Sequence, residues 1–100
     1  MKFGFVYILT NLSHRVLYTG VTSNLLSRVT EHKALRGSEF TTKYKITKLV
    51  FFQKFESVLE AIEIEKKIKG GSRLKKVNLI ESVNPLWRDL SDEIASLCSQ

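Results

Sequence analysis

One carboxylate in this sequence stands out for where it falls. On a helix advancing roughly 100° per residue, Val58, Ala61, Ile62 and Ile68 share one broad face. Glu65 lies in the middle of that face, while Glu60, Glu63 and Lys67 point away. A carboxylate in an apolar stripe loses hydration, so it needs a cation, a metal or a proton beside it. A structural ion pair meets that need as readily as a site does. If the partner is a metal, a solitary carboxylate suits a hard, oxygen-loving ion such as Mg2+, which keeps several waters. Arg28 and His32 are four apart on an earlier helix and therefore neighbours on its surface. Arginine grips a phosphate oxygen bidentately, and histidine moves protons near neutral pH. Tyr7 and Tyr18 lie eleven apart in a hairpin pattern. A short turn centred between Leu12 and Ser13 would set them directly opposite, with Cβ atoms about 5 Å apart. Gly20 marks a bulge or a close backbone approach. The stretch from Lys66 to Lys76 carries Lys66, Lys67, Lys69, Arg73, Lys75 and Lys76, a set able to track a phosphate backbone. Taken singly, a solvated helix face or a packed tyrosine pair explains each of these as well.

The elements that must hold these residues follow from the pattern around them. Residues Phe3 to Thr10 are aromatic or β-branched on both faces, which predicts a central strand covered on both sides. Val16 to Val21 predicts a second strand, antiparallel to the first. From Asn24 to Leu35 the period changes to helical, with Leu25, Leu26 and Val29 as the apolar stripe and His32 at its edge. Asn24 or Ser23 is the candidate N-cap, and Gly37 stands where a helix-ending glycine is favoured. Glu39 to Tyr44 has room for one short helical turn. Lys48 to Phe55 predicts a third strand. Ser57-x-x-Glu60 is a capping-box pattern opening a helix to Lys69, which Gly70-Gly71 ends. Ser72 caps a further helix through Ser82, Asn84-Pro85 breaks it, and Ser91 with Asp92 and Glu93 opens a last short one. The expected architecture is α+β: a three-stranded antiparallel sheet flanked by helices.

A chain of 100 residues is expected to form one domain. Hydrophobic residues make up 43 % and charged residues 26 %, an ordinary globular balance. The longest apolar run, Phe5 to Leu9, is too short to span a bilayer. No basic stretch leads into a long apolar one near the start, which argues against a secretory signal. The single cysteine, Cys98, excludes an internal disulfide and a cysteine-built zinc site, and fits a reducing compartment, most simply the cytoplasm. Sixteen Lys and Arg against ten Asp and Glu give a formal charge of +6, which favours a polyanionic partner, and with such short apolar runs no membrane partner is expected. No glycine-rich phosphate loop and no serine-hydrolase pattern is present, and His14 reads as a turn residue.

Together these residues resemble the GIY-YIG nuclease superfamily, specifically its small, stand-alone, single-domain bacterial branch. Phe5-Val6-Tyr7 stands where the first name-giving triplet falls and Tyr18-Thr19-Gly20 where the second falls. The run Leu17 to Leu25 followed by Arg28-x-x-x-His32 is similar to the family's second strand and first helix. Glu65-Lys66-Lys67-Ile68-Lys69-Gly70 is similar to its third motif, and Asn84-Pro85-x-Trp87-Arg88-Asp89-Leu90 to the end of the small branch. The resemblance covers residues 3–91, leaving 92–100 as a short C-terminal helix or tail. Phe5 and Val6 replace the named glycine and isoleucine, and Ser27 stands where relatives often carry a second basic residue.

The resemblance implies a DNA endonuclease that hydrolyses phosphodiester bonds with one divalent cation, Mg2+ or Mn2+. Glu65 would hold the metal and Arg28 would neutralise charge on the phosphoryl group. Tyr7 would be the general base and His32 its proton acceptor or orienting group. Tyr18 would position water or phosphate, and Gly20 would leave room for the substrate. Lys66, Lys69 and Arg73 are the expected contacts to the DNA backbone. Lacking a second DNA-binding domain, the chain would have little sequence specificity. The oligomeric state is not set by the sequence, a monomer being the simplest case. A nucleic-acid-binding module without turnover, or one working only beside a partner, stands as the alternative class.

Overall fold

The structure is a computed structural model that describes residues 3–98. The last two residues of the 92–100 tail and the Cys98 side chain lie outside the described part. The elements are β1 (Gly4–Thr10), β2 (Leu17–Thr22), α1 (Leu25–Lys33), α2 (Glu39–Lys43), β3 (Lys48–Phe55), α3 (Val58–Lys69), α4 (Arg73–Val83) and α5 (Ser91–Cys98). The strands form one antiparallel sheet in the order β2-β1-β3. The first strand is therefore central, as its two-sided hydrophobicity requires.

Each face of the sheet has its own layer. Tyr7 and Leu9 pack with Leu25 and Val29 of α1 and with Ile46, Leu49, Leu90 and Ile94. On the other face Val6 packs with Phe55 and Ala61, and Ile8 packs with Val50, Phe51, Ile80 and Trp87. So α1 and α5 cover one side while α3 and α4 cover the other. Gly4 lets α3 settle on β1, because a Cβ there would stand 2.7 Å from that of Ala61. Ile94 of α5 is only 1 % exposed, so this helix contributes to the same core as Tyr7. Among the described residues no helix is long and apolar enough to cross a membrane.

The caps read from the sequence are in place. Asn24 Oδ1 accepts from Ser27 N, Ser57 Oγ from Glu60 N, and Ser72 Oγ from Lys75 N. Gly37 does not end α1. Leu35 takes the left-handed turn there, at φ 58°, and the Leu35 and Arg36 amides donate back to the His32 and Glu31 carbonyls. Leu26, expected in the apolar stripe, is exposed.

The hairpin register also differs from the expected one. Tyr7 pairs with Gly20, and Tyr18 pairs with Leu9. The reason is a longer connection across residues 11–16. Asn11 Oδ1 accepts from the Arg15 and Val16 amides, and Thr10 Oγ1 donates to the Val16 carbonyl. Two residues of slip keep both tyrosines on the same face, where one would have separated them. A bulge between Ile8 and Leu9 interrupts the β1–β3 ladder. Buried Asn84 donates to the Val50 carbonyl there, at 3.1 Å, and also to the Arg88 carbonyl, while accepting from the Arg88 amide.

Candidate active site

Tyr7 sits on the central strand and is 2 % exposed. Its ring extends across the bare backbone of Gly20 on β2, where a Cβ would come within 2.4 Å of the Tyr7 hydroxyl. Gly20 is thus the close approach that its place in a strand suggested. The Tyr18 ring lies diagonally across the pair, 6.4 Å from that of Tyr7 between centroids. One turn of α1 beyond Arg28, the His32 ring completes a triangle, 6.1 Å from Tyr7 and 5.7 Å from Tyr18.

His32 is buried more deeply than an edge position predicts, because α2 and its approach fold over it. Its Nδ1 lies 3.0 Å from Thr41 Oγ1, and its Nε2 is fully buried without a hydrogen-bond partner. Gly37 closes from the same side. A Cβ there would stand 2.3 Å from His32 Nδ1 and 2.8 Å from Thr41 Oγ1. Burial lowers the His32 pKa below the usual histidine value and Arg28 lowers it further, against an opposing pull from Glu31. The imidazole is therefore neutral at pH 7. Burial also pushes the Tyr7 hydroxyl well above the ordinary range of a phenol. Tyr18, Glu31 and Glu65 act in the same direction, and Arg28 acts against them.

Glu65 is 9 % exposed on α3, buried as its place on the helix predicted. Lys69 Nζ stands 3.8 Å from its Oε2, one turn along the same helix, beyond direct hydrogen bonding. Among the described residues no group of three or more His, Cys, Asp or Glu could share a metal ion. A buried carboxylate with a loosely placed, largely exposed lysine keeps oxygen lone pairs free. That donor set fits a hard divalent cation whose other positions are filled by water.

The basic cluster divides into parts with different work. Lys69 and Lys76 line a cavity of about 360 Å³ with Leu17, Tyr18, Thr19 and Phe40. Lys67, Lys75 and Lys76 border a neighbouring groove of about 240 Å³. Lys66 is exposed on α3 and borders neither. Arg73 donates to the Arg15 and His14 carbonyls at 2.8 and 2.6 Å, so its guanidinium anchors the β1–β2 loop.

Three residues near the site escape a reading of the sequence. Phe40 of α2 lies 6.3 Å from the Tyr18 ring, nearly parallel to it, and is half exposed. Thr41 holds His32. Gly37 makes room for that bond. All three belong to the segment whose periodicity is too short to read, and Gly37 looked there like a helix end. The arrangement brings Tyr7, Tyr18 and His32 into contact range. Arg28 and Glu65 are near enough to act on the Tyr7 hydroxyl through their charges. A phenol, an imidazole, a guanidinium and a carboxylate beside a lysine-rimmed cavity can bind an anionic ester and move a proton at it.

Comparisons with known proteins bear on the family and the fold. The family described as the GIY-YIG catalytic domain matches residues 3–78. A UPF0213 protein of Natronomonas pharaonis is 38 % identical over 76 residues, covering 76 % of this chain and 88 % of the relative. A UPF0213 protein of Clostridium perfringens is 40 % identical over 78 residues, covering 78 % and 83 %. Among solved structures, the solution NMR structure of the UPF0213 protein BH0048 of Bacillus halodurans superimposes with a TM-score of 0.56 at 29 % identity. It covers 87 % of this chain and 92 % of that one. With its fold, its motif order and this match over most of its length, the chain belongs to the GIY-YIG catalytic domain family.

Proposed function

We propose that this protein is a metal-dependent DNA endonuclease that hydrolyses phosphodiester bonds with one divalent cation, Mg2+ or Mn2+, and with little intrinsic sequence specificity. The observation that carries the reading is the convergence of the Tyr7, Tyr18 and His32 rings, within range of the charge of a buried carboxylate, Glu65, that has Lys69 3.8 Å away and no closer ion pair. Packing alone does not call for a carboxylate there.

The chemistry divides among the residues as follows. Glu65 would hold the cation, and the chemistry that ion would supply there is polarisation of the scissile phosphate and stabilisation of the leaving oxygen. Arg28, exposed on α1, meets the negative charge that develops on the phosphoryl oxygens. Tyr7 takes a proton from the attacking water. Its own proton must leave first, and neutral His32 is the acceptor beside it. Arg28 favours the phenolate, and neutralising the Glu65 charge removes one of the influences that oppose it. Tyr18 orients water or phosphate, and Gly20 leaves the space that the Tyr7 hydroxyl occupies. Lys69 and Lys76 at the cavity rim hold the flanking backbone, with Lys66 adding long-range attraction. A chain with a single cysteine needs no oxidising compartment, which supports a reducing location such as the cytoplasm.

One feature favours a second reading, a binding module without turnover: burial raises the Tyr7 hydroxyl above the ordinary range of a phenol. Incubation with supercoiled, linear and branched DNA, with Mg2+, with Mn2+ and with chelator, separates the two. The nuclease reading expects metal-dependent nicking. Binding without cleavage on every substrate and with both metals would leave the second.

A further inference from the structure

We propose that Thr41 is a positioning residue that fixes His32 as the tautomer carrying its hydrogen on Nδ1, so that Nε2 offers a lone pair inside the tyrosine cluster. The value of this for catalysis rests on the nuclease reading. The tautomer itself does not.

The tautomer follows from the hydrogens available around the imidazole. Thr41 Oγ1 has one hydrogen and three near neighbours. It lies 3.1 Å from the Ser38 carbonyl, 3.0 Å from His32 Nδ1 and 3.2 Å from Ser38 Oγ. A carbonyl only accepts, so the contact to Ser38 O requires the Thr41 hydrogen. Oγ1 then faces Nδ1 with a lone pair, and the hydrogen between them belongs to Nδ1. Ser38 Oγ is itself engaged as the α2 cap, accepting from the Thr41 amide at 3.2 Å. The Thr41 side chain is thereby tied twice to the start of α2 and cannot turn freely.

Two further features point the same way. Nε2, across the ring from Nδ1, is buried and unpartnered. A buried N–H without an acceptor is the rarer and costlier orphan, whereas a lone pair there awaits a hydroxyl donor. Two such donors flank the ring, at centroid distances of 6.1 and 5.7 Å. The second feature is Gly37, whose backbone closes on the His32–Thr41 pair so tightly that a methyl group would clash with both partners. The molecule gives up a side chain at residue 37 to keep this bond.

The consequence for the reaction is directional. With Nδ1–H donating to Thr41, Nε2 can accept the hydrogen of a tyrosine hydroxyl. The O–H bond breaks with its electron pair left on the phenol oxygen, and an N–H bond forms at Nε2. The other tautomer presents N–H to the same hydroxyl and cannot accept.

The test is the tautomer itself, read by long-range ¹⁵N–¹H spectra of histidine-labelled protein near neutral pH, with His14 assigned by its own substitution. Wild type is expected to show a protonated Nδ1 and a bare Nε2 at His32. Thr41→Val, which keeps the shape and removes the hydroxyl, is expected to move the hydrogen to Nε2, and Thr41→Ser to restore it. In nicking assays Thr41→Val should lose about tenfold or more in rate with DNA binding retained, and Thr41→Ser should recover. A wild-type spectrum with the hydrogen on Nε2 would overturn the proposal, whether or not the valine variant folds. So would a folded Thr41→Val protein with the wild-type tautomer. A wild type that shows Nδ1–H yet nicks no DNA with any metal supports the tautomer and refutes the nuclease reading instead.

Discussion

Replacing Gly20 by alanine adds one methyl group where the structure has no space for it. The new Cβ would stand 2.4 Å from both Cζ and the hydroxyl oxygen of Tyr7. The ring cannot swing aside, because Tyr7 is 2 % exposed and packed among Leu25, Val29 and Ile94. The backbone at Gly20 has no positive φ, so alanine meets no conformational strain of its own. Loss of the glycine's freedom in the unfolded chain even stabilises by about 0.4–1 kcal/mol. Overpacking a buried site costs about 1–3 kcal/mol, so the net effect is a destabilisation of about 1–2 kcal/mol. For a domain of this size that lowers Tm by about 5–15 °C. The larger effect is on position. A displacement of about 1 Å at a reacting group costs on the order of a hundredfold in rate. Thermal melting and metal-dependent nicking of supercoiled DNA measure both. A Gly20→Ala protein that melts with the wild type and nicks at its rate would refute the packing of Tyr7 over this residue and its place in the chemistry.

Tyr7→Phe and Arg28→Ala are each expected to lose about a hundredfold or more in cleavage while keeping most DNA binding, since each removes a reacting contact and at most one charge of sixteen; gel-shift and nicking assays run in parallel check this. Lys69→Gln with Lys76→Gln should weaken DNA binding across all sequences and flatten its salt dependence by about two in slope, as read from binding at several salt concentrations. Arg73→Gln should instead lower Tm, by an amount matching about 1–2 kcal/mol after allowance for its exposure, because it unties the His14 and Arg15 carbonyls. Asp89 gives a pH dependence. Burial alone would raise its pKa, but hydrogen bonds from Lys33 and Ser91 and the Lys33 charge hold it below the ordinary carboxylate value. Its contribution is therefore full above about pH 4 and is lost as pH falls through the lowered folded value, so Asp89→Asn should flatten the acid limb of the stability curve measured by denaturant melts.

What could be read in the sequence is what local pattern fixes. Strand β3 runs from Lys48 to Phe55 as its aromatic and β-branched residues predict, and α3 opens at Ser57 because the capping pattern is complete within four residues. Glu65 was legible for the same reason, since helical period alone sets it among apolar neighbours. The hairpin register was not, because it depends on the Asn11 side chain closing a longer loop. The depth of His32 was hidden too. Its cover comes from α2, and the bond that orients it comes from Thr41, nine residues away in a segment without a readable period. Arg73 looked like one more cation for phosphate, and only tertiary contact reveals that it holds the loop carbonyls.

The central claim is that Glu65 serves chemistry rather than scaffold, and one paired measurement on Glu65→Gln tests it. Removing a partner from a truly buried ion pair costs about 3–5 kcal/mol. That cost does not apply here, because the Lys69 side chain is 64 % exposed and stays hydrated without its partner. The variant should therefore melt, without metal, at or above the wild-type temperature, and should lose Mg2+-dependent nicking of supercoiled DNA while still binding it. A Glu65→Gln protein that melts far below the wild type yet nicks DNA at the wild-type rate would contradict the account.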